Sequence, residues 1–503
     1  MNRPTATPLE TALAECAAGA ALITTAPEQA LVHYATAVAL APDDPVVASL
    51  HGVALRSAGQ VGEAIRELLR GAALPGATAD LFVQLAQCYR LVGDWRQCAT
   101  AFARAAALAP GDAVILRNLA HALRWAGDLP AATAAALTAL QAGPTDPQNA
   151  LAASLLLHRV GRLHDAELIV RAALVHTPRD PELRFAAATL ALTRGDFATG
   201  WPLHEARLEL RSHTDRPPVA SPCWDGAPLA GRTILVRAEQ GLGDQIQFVR
   251  YAPMLRDHGA GRVIVSCYRP LVRLFSTLRG IDAVVTADEE MPPHDVHVDV
   301  MSLQWRLDAS CDTVEVPYLH APVSPVATSY GGRDGAPLRV GIAWAGSPHQ
   351  VDDRFRSLAA GDLATMLTYD RVTWVVLQQG PGREALTMLP PAVRDRLEDA
   401  GADGGDLLDT AVAAASCDLV ISVCTSVAHL AGAIGRPTWV MLADVADWRW
   451  FEAREDSPYY PTMRLFRQTQ HADWTGVVHR VHAALEALAT RRERRHTAPA
   501  DTP

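Results

Sequence analysis

Five glycines, Gly59, Gly93, Gly127, Gly161 and Gly195, follow one another at intervals of 34 residues. Other positions keep the same step. Proline returns at Pro42, Pro110, Pro144 and Pro178, with Gly76 in the missing beat, and small residues recur at Ala30, Ala64, Cys98, Ala132, Ala166 and Gly200. This spacing predicts pairs of helices. Glycine lets the chain turn between the two members of a pair, and the small residue, five places further on, lets them approach closely at their crossing. Proline fits where the second helix has ended and the next unit begins. A unit of this size cannot bury an apolar face alone, so successive units stack. The first ~210 residues are expected to form a helical solenoid.

Period and pattern together resemble the tetratricopeptide repeat (TPR). The clearest unit runs from Ala79 to Pro110, with Phe82, Leu85, Ala86, Tyr89, Cys98, Phe102, Ala105 and Pro110 in the expected places. Stacked helix pairs curve into a concave face that holds a peptide or protein, so a protein partner is expected there. Self-association or plain scaffolding is the other reading, because fold alone does not decide function.

At 503 residues the chain has room for roughly three domains. Its hydrophobic fraction of 49% and charged fraction of 20% are those of a soluble globular protein. A formal charge of −10 argues against general nucleic-acid binding, since nothing would neutralise phosphates in bulk. No apolar run approaches a transmembrane span, and the opening MNRPTATPLE lacks a signal-peptide core. The eight cysteines are scattered without a CxxC pair, which suits a reducing, cytoplasmic setting. The final RRERRHTAPADTP reads as a flexible tail over 491–503.

The periodicity changes class after Gly200. Pro217, Pro218, Pro222 and Pro228 mark a linker over 211–232. Short apolar runs then follow at Thr233–Val236, Val263–Ser266, Ala283–Val285 and Val296–Val300, separated by helix-length segments. A second break runs from Val316 to Pro337, after which runs return at Arg339–Ala343, Val372–Leu377, Leu419–Val423 and Thr438–Met441. Alternating strand and helix implies parallel, doubly wound sheets, here as two α/β lobes over 233–330 and 336–490. A ligand in such a pair sits between the carboxyl ends of the facing sheets.

Each lobe carries one conspicuous strand-to-loop motif. The first is Glu239-Gln240-Gly241-Leu242-Gly243-Asp244, where Gly241 and Gly243 allow a tight turn into a helix. The third glycine of a dinucleotide fingerprint would fall at Ile246, so that motif is absent. Taken alone, Asp244 reads as a helix cap. In the second lobe Cys424-Thr425-Ser426 leads into a helix carrying His429, and this start would suit a diphosphate. His429 on its own reads as a core residue. Upstream, Gly346-Ser347 follow a strand and lead to Arg354 and Arg356, whose guanidinium groups suit bidentate phosphate contacts or an ordinary surface loop.

In combination these parts are more specific. The segments WDGAPLAGRTILVRAEQGLGDQIQFVRYAP, RVGIAWAGSP with DDRFRSL, CDLVISVCTSVAHLAGAIGRPTWVML and DWRWFEAREDSPYYPTMRLFRQ resemble bacterial TPR glycosyltransferases. Their catalytic half is similar to the family that includes lipopolysaccharide heptosyltransferases, glycosyltransferase family 9. The layout of repeats plus transferase is also similar to O-GlcNAc transferase. The resemblance implies a TPR solenoid over 1–210 followed by a GT-B fold of two Rossmann-like lobes. The first lobe would face the acceptor and the second would bind a nucleotide-sugar donor. It implies an inverting transfer with no cofactor and no metal, and the sequence carries no DxD motif.

Matched by position, Asp244 would be the general base. Arg356, with Arg354 as a second candidate, would stabilise the leaving diphosphate. Thr425, Ser426 and His429 would bind phosphate and sugar, Gln378 would lie near the donor base, and Gly241, Gly243, Gly346 and Ser347 would line the donor loops. Relatives commonly have aspartate where this chain has Cys424, and a thiol cannot accept two hydroxyl hydrogen bonds as a carboxylate does. The acceptor expected from the resemblance is a protein recruited by the solenoid, flagellin Ser or Thr being one candidate. The alternatives are a saccharide or lipid-linked acceptor, or an impaired transferase acting as a scaffold.

Overall fold

The computed structural model describes residues 7–211, 219–322, 337–348, 353–402 and 404–497, with side chains up to 493. Parts of the two expected breaks, at 212–218 and 323–336, lie outside the described residues, as does 498–503 of the expected tail. The chain divides into two compact units, Met1–Leu190 and Ala191–Pro503.

The first unit is built from helix pairs. They are α1 (Pro8–Leu22) with α2 (Pro27–Leu40), α3 (Pro45–Ser57) with α4 (Val61–Ala72), α5 (Ala79–Leu91) with α6 (Trp95–Leu108), α7 (Ala113–Ala126) with α8 (Leu129–Ala142), and α9 (Pro147–Arg159) with α10 (Leu163–His176). These pairs keep the 34-residue step of the sequence, and the turn glycines are the reason the register holds. Gly59, Gly93, Gly127 and Gly161 have φ between 75° and 94°. A Cβ at any of them would meet nothing within 4 Å, so backbone conformation, not space, selects glycine there. The small-residue beat has the opposite cause: Ala30, Ala64, Cys98, Ala132 and Ala166 are fully buried at the helix crossings. Aspartates cap many of the helices, Asp44, Asp112 and Asp146 each accepting from free N–H groups of the first turn.

Two further helices follow, α11 (Pro181–Thr193), whose last three residues already fall in the second unit, and α12 (Phe197–His204). Helix α12 belongs to the second unit. Its Trp201 meets Phe248 and Trp448 edge-on at 5.7 and 5.5 Å. Just beyond it, the fully buried Arg207 forks onto Glu239 at 2.7 and 3.0 Å and also pairs with Glu205 at 2.7 Å.

The second unit has two parallel sheets. The first contains β1 (Thr233–Arg237), β2 (Arg262–Cys267), β3 (Ala283–Thr286) and β4 (Val296–Asp299) in the order β3-β2-β1-β4. The second contains β5 (Leu338–Ala343), β6 (Val372–Val376), β7 (Glu398–Asp399), β8 (Leu419–Val423), β9 (Thr438–Leu442) and β10 (Met463–Arg467) in the order β10-β9-β8-β5-β6-β7. Counted within its own lobe, the second order is 6-5-4-1-2-3, the doubly wound Rossmann arrangement. The two lobes have the layout of a GT-B fold. Strands covered on both faces, such as β1, β5 and β8, read as continuous apolar runs, whereas β7 and β10 do not.

Two segments are more ordered than their composition suggests. Trp224, in the expected linker, is buried and donates its indole N–H to the Ala227 carbonyl at 2.7 Å. The last helix runs Trp474–Thr497, so it takes in the start of the expected tail. Arg492 reaches Asp418 at 3.1 Å and Arg371 reaches Glu493 at 2.6 Å, which ties that end down. Among the described residues no helix is long and apolar enough to cross a membrane.

Candidate functional site

Strand order places the site. In each sheet the direction of winding reverses once, between β1 and β4 and between β5 and β8, and ligands of open α/β sheets bind beyond the carboxyl ends at such points. The loop after β1 is Ala238–Gly241, the loop after β5 is Trp344–Ser347, and the turn after β8 is Cys424–Thr425. These loops, together with the helices that the first and third of them open into, carry most of the expected site residues.

On the first lobe, Gln240 takes a left-handed φ of 58°, which is strained for a residue with a Cβ. Gly241 then caps the short helix Leu242–Phe248, and its N–H donates to Asp244 Oδ2 at 2.7 Å. The other carboxylate oxygen forms an ion pair with Arg449 Nη2. Burial pushes the Asp244 carboxyl above its ordinary range, against the pull of Arg449 and of the Gly241 N–H. Its side chain keeps 21% of its surface exposed, enough for a reactant to reach.

On the second lobe, Thr425 caps the helix Ser426–Ala433, its hydroxyl accepting from Val427 N–H at 3.3 Å and meeting Ser422 Oγ at 3.1 Å. His429 lies one turn in and is buried. Its Nδ1 faces Tyr460 OH at 3.1 Å and its ring stacks on Trp450 at 5.1 Å. Burial, reinforced by Arg449, lowers its pKa to about 3, so the imidazole is neutral at neutral pH. The two lobes touch here. A Cβ on Gly243 would come within 2.9 Å of His429 Cδ2 and 3.5 Å of Ser426 Cα, so only glycine permits this approach.

Cys424 accepts a hydrogen bond from the Trp450 indole N–H at 3.0 Å, and burial pushes its thiol up. Its carbonyl accepts from Arg356 Nη1 at 3.0 Å, while Arg356 Nε is held by Asp353 at 3.0 Å. Gly346 lies against this pair, a Cβ there meeting Asp353 and Arg356 within 2.4 Å. The Gly346 N–H donates to Ser357 Oγ at 3.0 Å.

The remaining expected residues are Gln378, Arg354 and Ser347. Gln378 is buried with its amide fully committed, Oε1 accepting from Trp344 and Ala345 N–H and Nε2 donating to the Gln379 and Pro381 carbonyls. It staples two loops together. Arg354 is exposed with its guanidinium 4.6 Å from the Phe355 ring, and Ser347 is exposed. A separate open cavity of about 620 Å³, lined in part by Arg269, Arg273, Thr286 and Asp406, contains none of the expected site residues.

The loop between β9 and β10 lies largely within the segment DWRWFEAREDSPYYPTMRLFRQ that carries the resemblance, but sequence reasoning gave none of its residues a role. It supplies Asp447, Arg449, Trp450 and Tyr460, and two of its non-glycine residues, Phe451 and Ala453, have φ of 54° and 47°. Arg467 donates to the Trp450 and Phe451 carbonyls at 3.0 and 2.8 Å and holds that strain in place. The signal available was length: some twenty residues without strand or helix periodicity inside a compact lobe mark a functional loop. Behind it, the buried Arg250 donates to the Gln247 and Tyr459 carbonyls at 2.8 and 2.7 Å and to Tyr318 OH at 3.0 Å. The Tyr318 and Tyr460 rings both lie 4.5 Å from its guanidinium.

No protein-family model matches the chain. A curated relative, Protein FlbA of Caulobacter vibrioides, is 25% identical over 329 residues, covering 60% of this chain and 54% of the relative. The chain therefore spans about half the length of the curated relative it matches. Among solved structures, the glycosyl transferase family 9 protein from Veillonella parvula is similar at 15% identity, with 53% of this chain and 99% of that chain covered and a TM-score of 0.39. The MamA protein is similar at 18% identity, with 34% of this chain and 93% of that chain covered and a TM-score of 0.31.

Proposed function

We propose that the second unit is an inverting glycosyltransferase that needs no metal. It moves a sugar from a nucleotide-sugar donor to a protein acceptor recruited by the TPR repeats. The observation that carries the reading is the meeting of one partly exposed carboxylate, Asp244, with Arg449 of the opposite lobe, where Gly243 also approaches the helix start at Ser426 and Arg356 bonds the Cys424 carbonyl. An inverting transfer needs one base on the acceptor side and positive charge on the leaving-group side. Asp244 is the base, taking the acceptor hydroxyl's proton as that oxygen attacks the anomeric carbon. Arg356 and the N–H groups at the start of helix Ser426–Ala433 receive the diphosphate, and neutral His429 with Trp450 walls the sugar.

Cys424 bears on the donor. Its thiol is occupied by the Trp450 N–H, so it presents no carboxylate to sugar hydroxyls. The donor sugar is thus gripped by fewer charged acceptors than an aspartate would provide.

The test is a thermal-shift panel of nucleotides and nucleotide sugars, followed by single-turnover kinetics of Asp244→Asn. A donor that binds only the folded protein raises the melting temperature by mass action. The variant is expected to lose about a hundredfold or more in transfer rate. Asparagine can still accept the Gly241 N–H through its amide oxygen, so wild-type turnover in this variant would remove Asp244 from the mechanism.

A further inference from the structure

Arg449 stands where the reading above gives it no task. It is buried, in the turn Trp448–Trp450, with its Nη1 on Asp447 Oδ1 at 2.7 Å and its Nη2 on Asp244. Its Nε is also buried and has no acceptor among the described residues. A guanidinium bound to a general base makes that base weaker, which is the wrong direction for the ground state. The arrangement becomes useful once the proton has moved.

We propose, building on the transferase reading, that Arg449 passes its charge from Asp244 to the departing nucleoside diphosphate. The acceptor oxygen forms its bond to the anomeric carbon and its proton goes to an Asp244 oxygen. The bond from the anomeric carbon to the phosphate oxygen breaks, and its electron pair stays on the diphosphate. Asp244 enters as a carboxylate and ends neutral, so one of the two anions holding Arg449 disappears as a new one forms on the leaving group. Asp447 remains to orient the guanidinium, and the unfilled Nε supplies a further donor. Arg356 cannot do this, because its partner Asp353 takes no part in the proton transfer.

Calorimetric titration of the full chain with UDP, ADP, GDP and TDP, each separately, tests the idea. Asp244→Asn imitates the neutral acid, so the nucleoside diphosphate that binds wild type should bind this variant about tenfold more tightly. The gain should vanish when Arg449→Ala is added. An Arg449 that merely pins the lobes together would give Asp244→Asn equal or weaker binding, and that result overturns the inference while leaving the transferase reading intact.

If Asp244→Asn does not fold, the wild type still decides. Asp244 is faced by Arg449 and Asp447 from the opposite lobe and by Glu239 and the Gly241 N–H on its own. Diphosphate binding should strengthen as pH falls and be accompanied by proton uptake, read from the dependence of binding enthalpy on the buffer. Uptake no greater than that of the free nucleotide overturns the proposal. Absence of binding by all four nucleotides overturns it together with the function on which it rests.

Discussion

Replacing Gly243 by alanine tests the contact between the lobes directly. The added Cβ would sit 2.9 Å from His429 Cδ2, where carbon atoms normally pack at about 3.5–4.0 Å. His429 cannot easily yield. Its ring is backed by Trp450 at 5.1 Å, its Nδ1 faces Tyr460 OH at 3.1 Å, and only 5% of the residue is exposed. Overpacking of this kind costs about 1–3 kcal/mol. The gain in helix propensity returns about 0.5–1 kcal/mol, so a net loss of about 0–2.5 kcal/mol, centred near 1, is expected. At about 2–4 °C per kcal/mol, scanning calorimetry should place the transition of the second unit some 2–4 °C lower. Gly62→Ala is the control. Gly62 lies in α4 with nothing within 4 Å of its added Cβ, so that change should raise stability by about 0.5–1 kcal/mol and leave the second unit's transition in place. A Gly243→Ala protein as stable as wild type, with the control behaving as expected, would refute the packing argument.

Three further outcomes are expected. Glu239→Gln should cost about 3 kcal/mol, measured by urea unfolding, because it strands the buried Arg207 with Glu205 as its remaining carboxylate. His429, whose folded pKa of about 3 lies below its ordinary value, contributes stability that is complete above about pH 6.5 and is lost as pH falls from there toward 3. His429→Asn should flatten that limb of the stability curve, and an unchanged acid limb would assign it to other groups. A fragment beginning at Pro181 should express as a folded protein, whereas one beginning at Val219 should aggregate. The shorter fragment lacks Trp201 and Arg207 and uncovers Phe248, Trp448 and the Glu239 carboxylate, a difference that size-exclusion chromatography would resolve.

The solenoid was legible because its constraints are local. A left-handed turn and a crowded helix crossing each dictate a residue type at a fixed spacing, and Gly59 to Gly161 and Ala30 to Ala166 record them one by one. The strands were legible where both faces are covered, as in Thr233–Arg237. The two-residue β7 and the strand Met463–Arg467, with charged Arg464 exposed, lack such a run and escaped notice. In the site, the loops after β1, β5 and β8 announced themselves through glycines and capping residues. Arg449, Asp447 and Tyr460 did not, since a long loop has no period and nothing local marks the reach of Arg449 to Asp244 or of Tyr460 to His429. Gln378 was placed near the donor base by resemblance alone, and the bonds that hold its amide to the loop after β5 are visible only in the fold.

The Arg250 cage has a mechanical consequence. Among the described residues its guanidinium pairs with no carboxylate, and its charge is met by carbonyls and phenols drawn from the first lobe, from the Tyr318 segment and from the Tyr459–Tyr460 stretch. Pulling those three apart would leave a bare cation in a dry interior, at a cost of several kcal/mol. Any swing of one lobe against the other must therefore turn about Arg250 as a door turns about its pin, with the largest travel at the edge furthest from it. The Arg273 ion pairs with Asp406 and Asp409, at 3.2 and 3.0 Å, join the lobes through exposed side chains and can part into water at little cost. Arg250 is then the hinge, and Arg273 the catch.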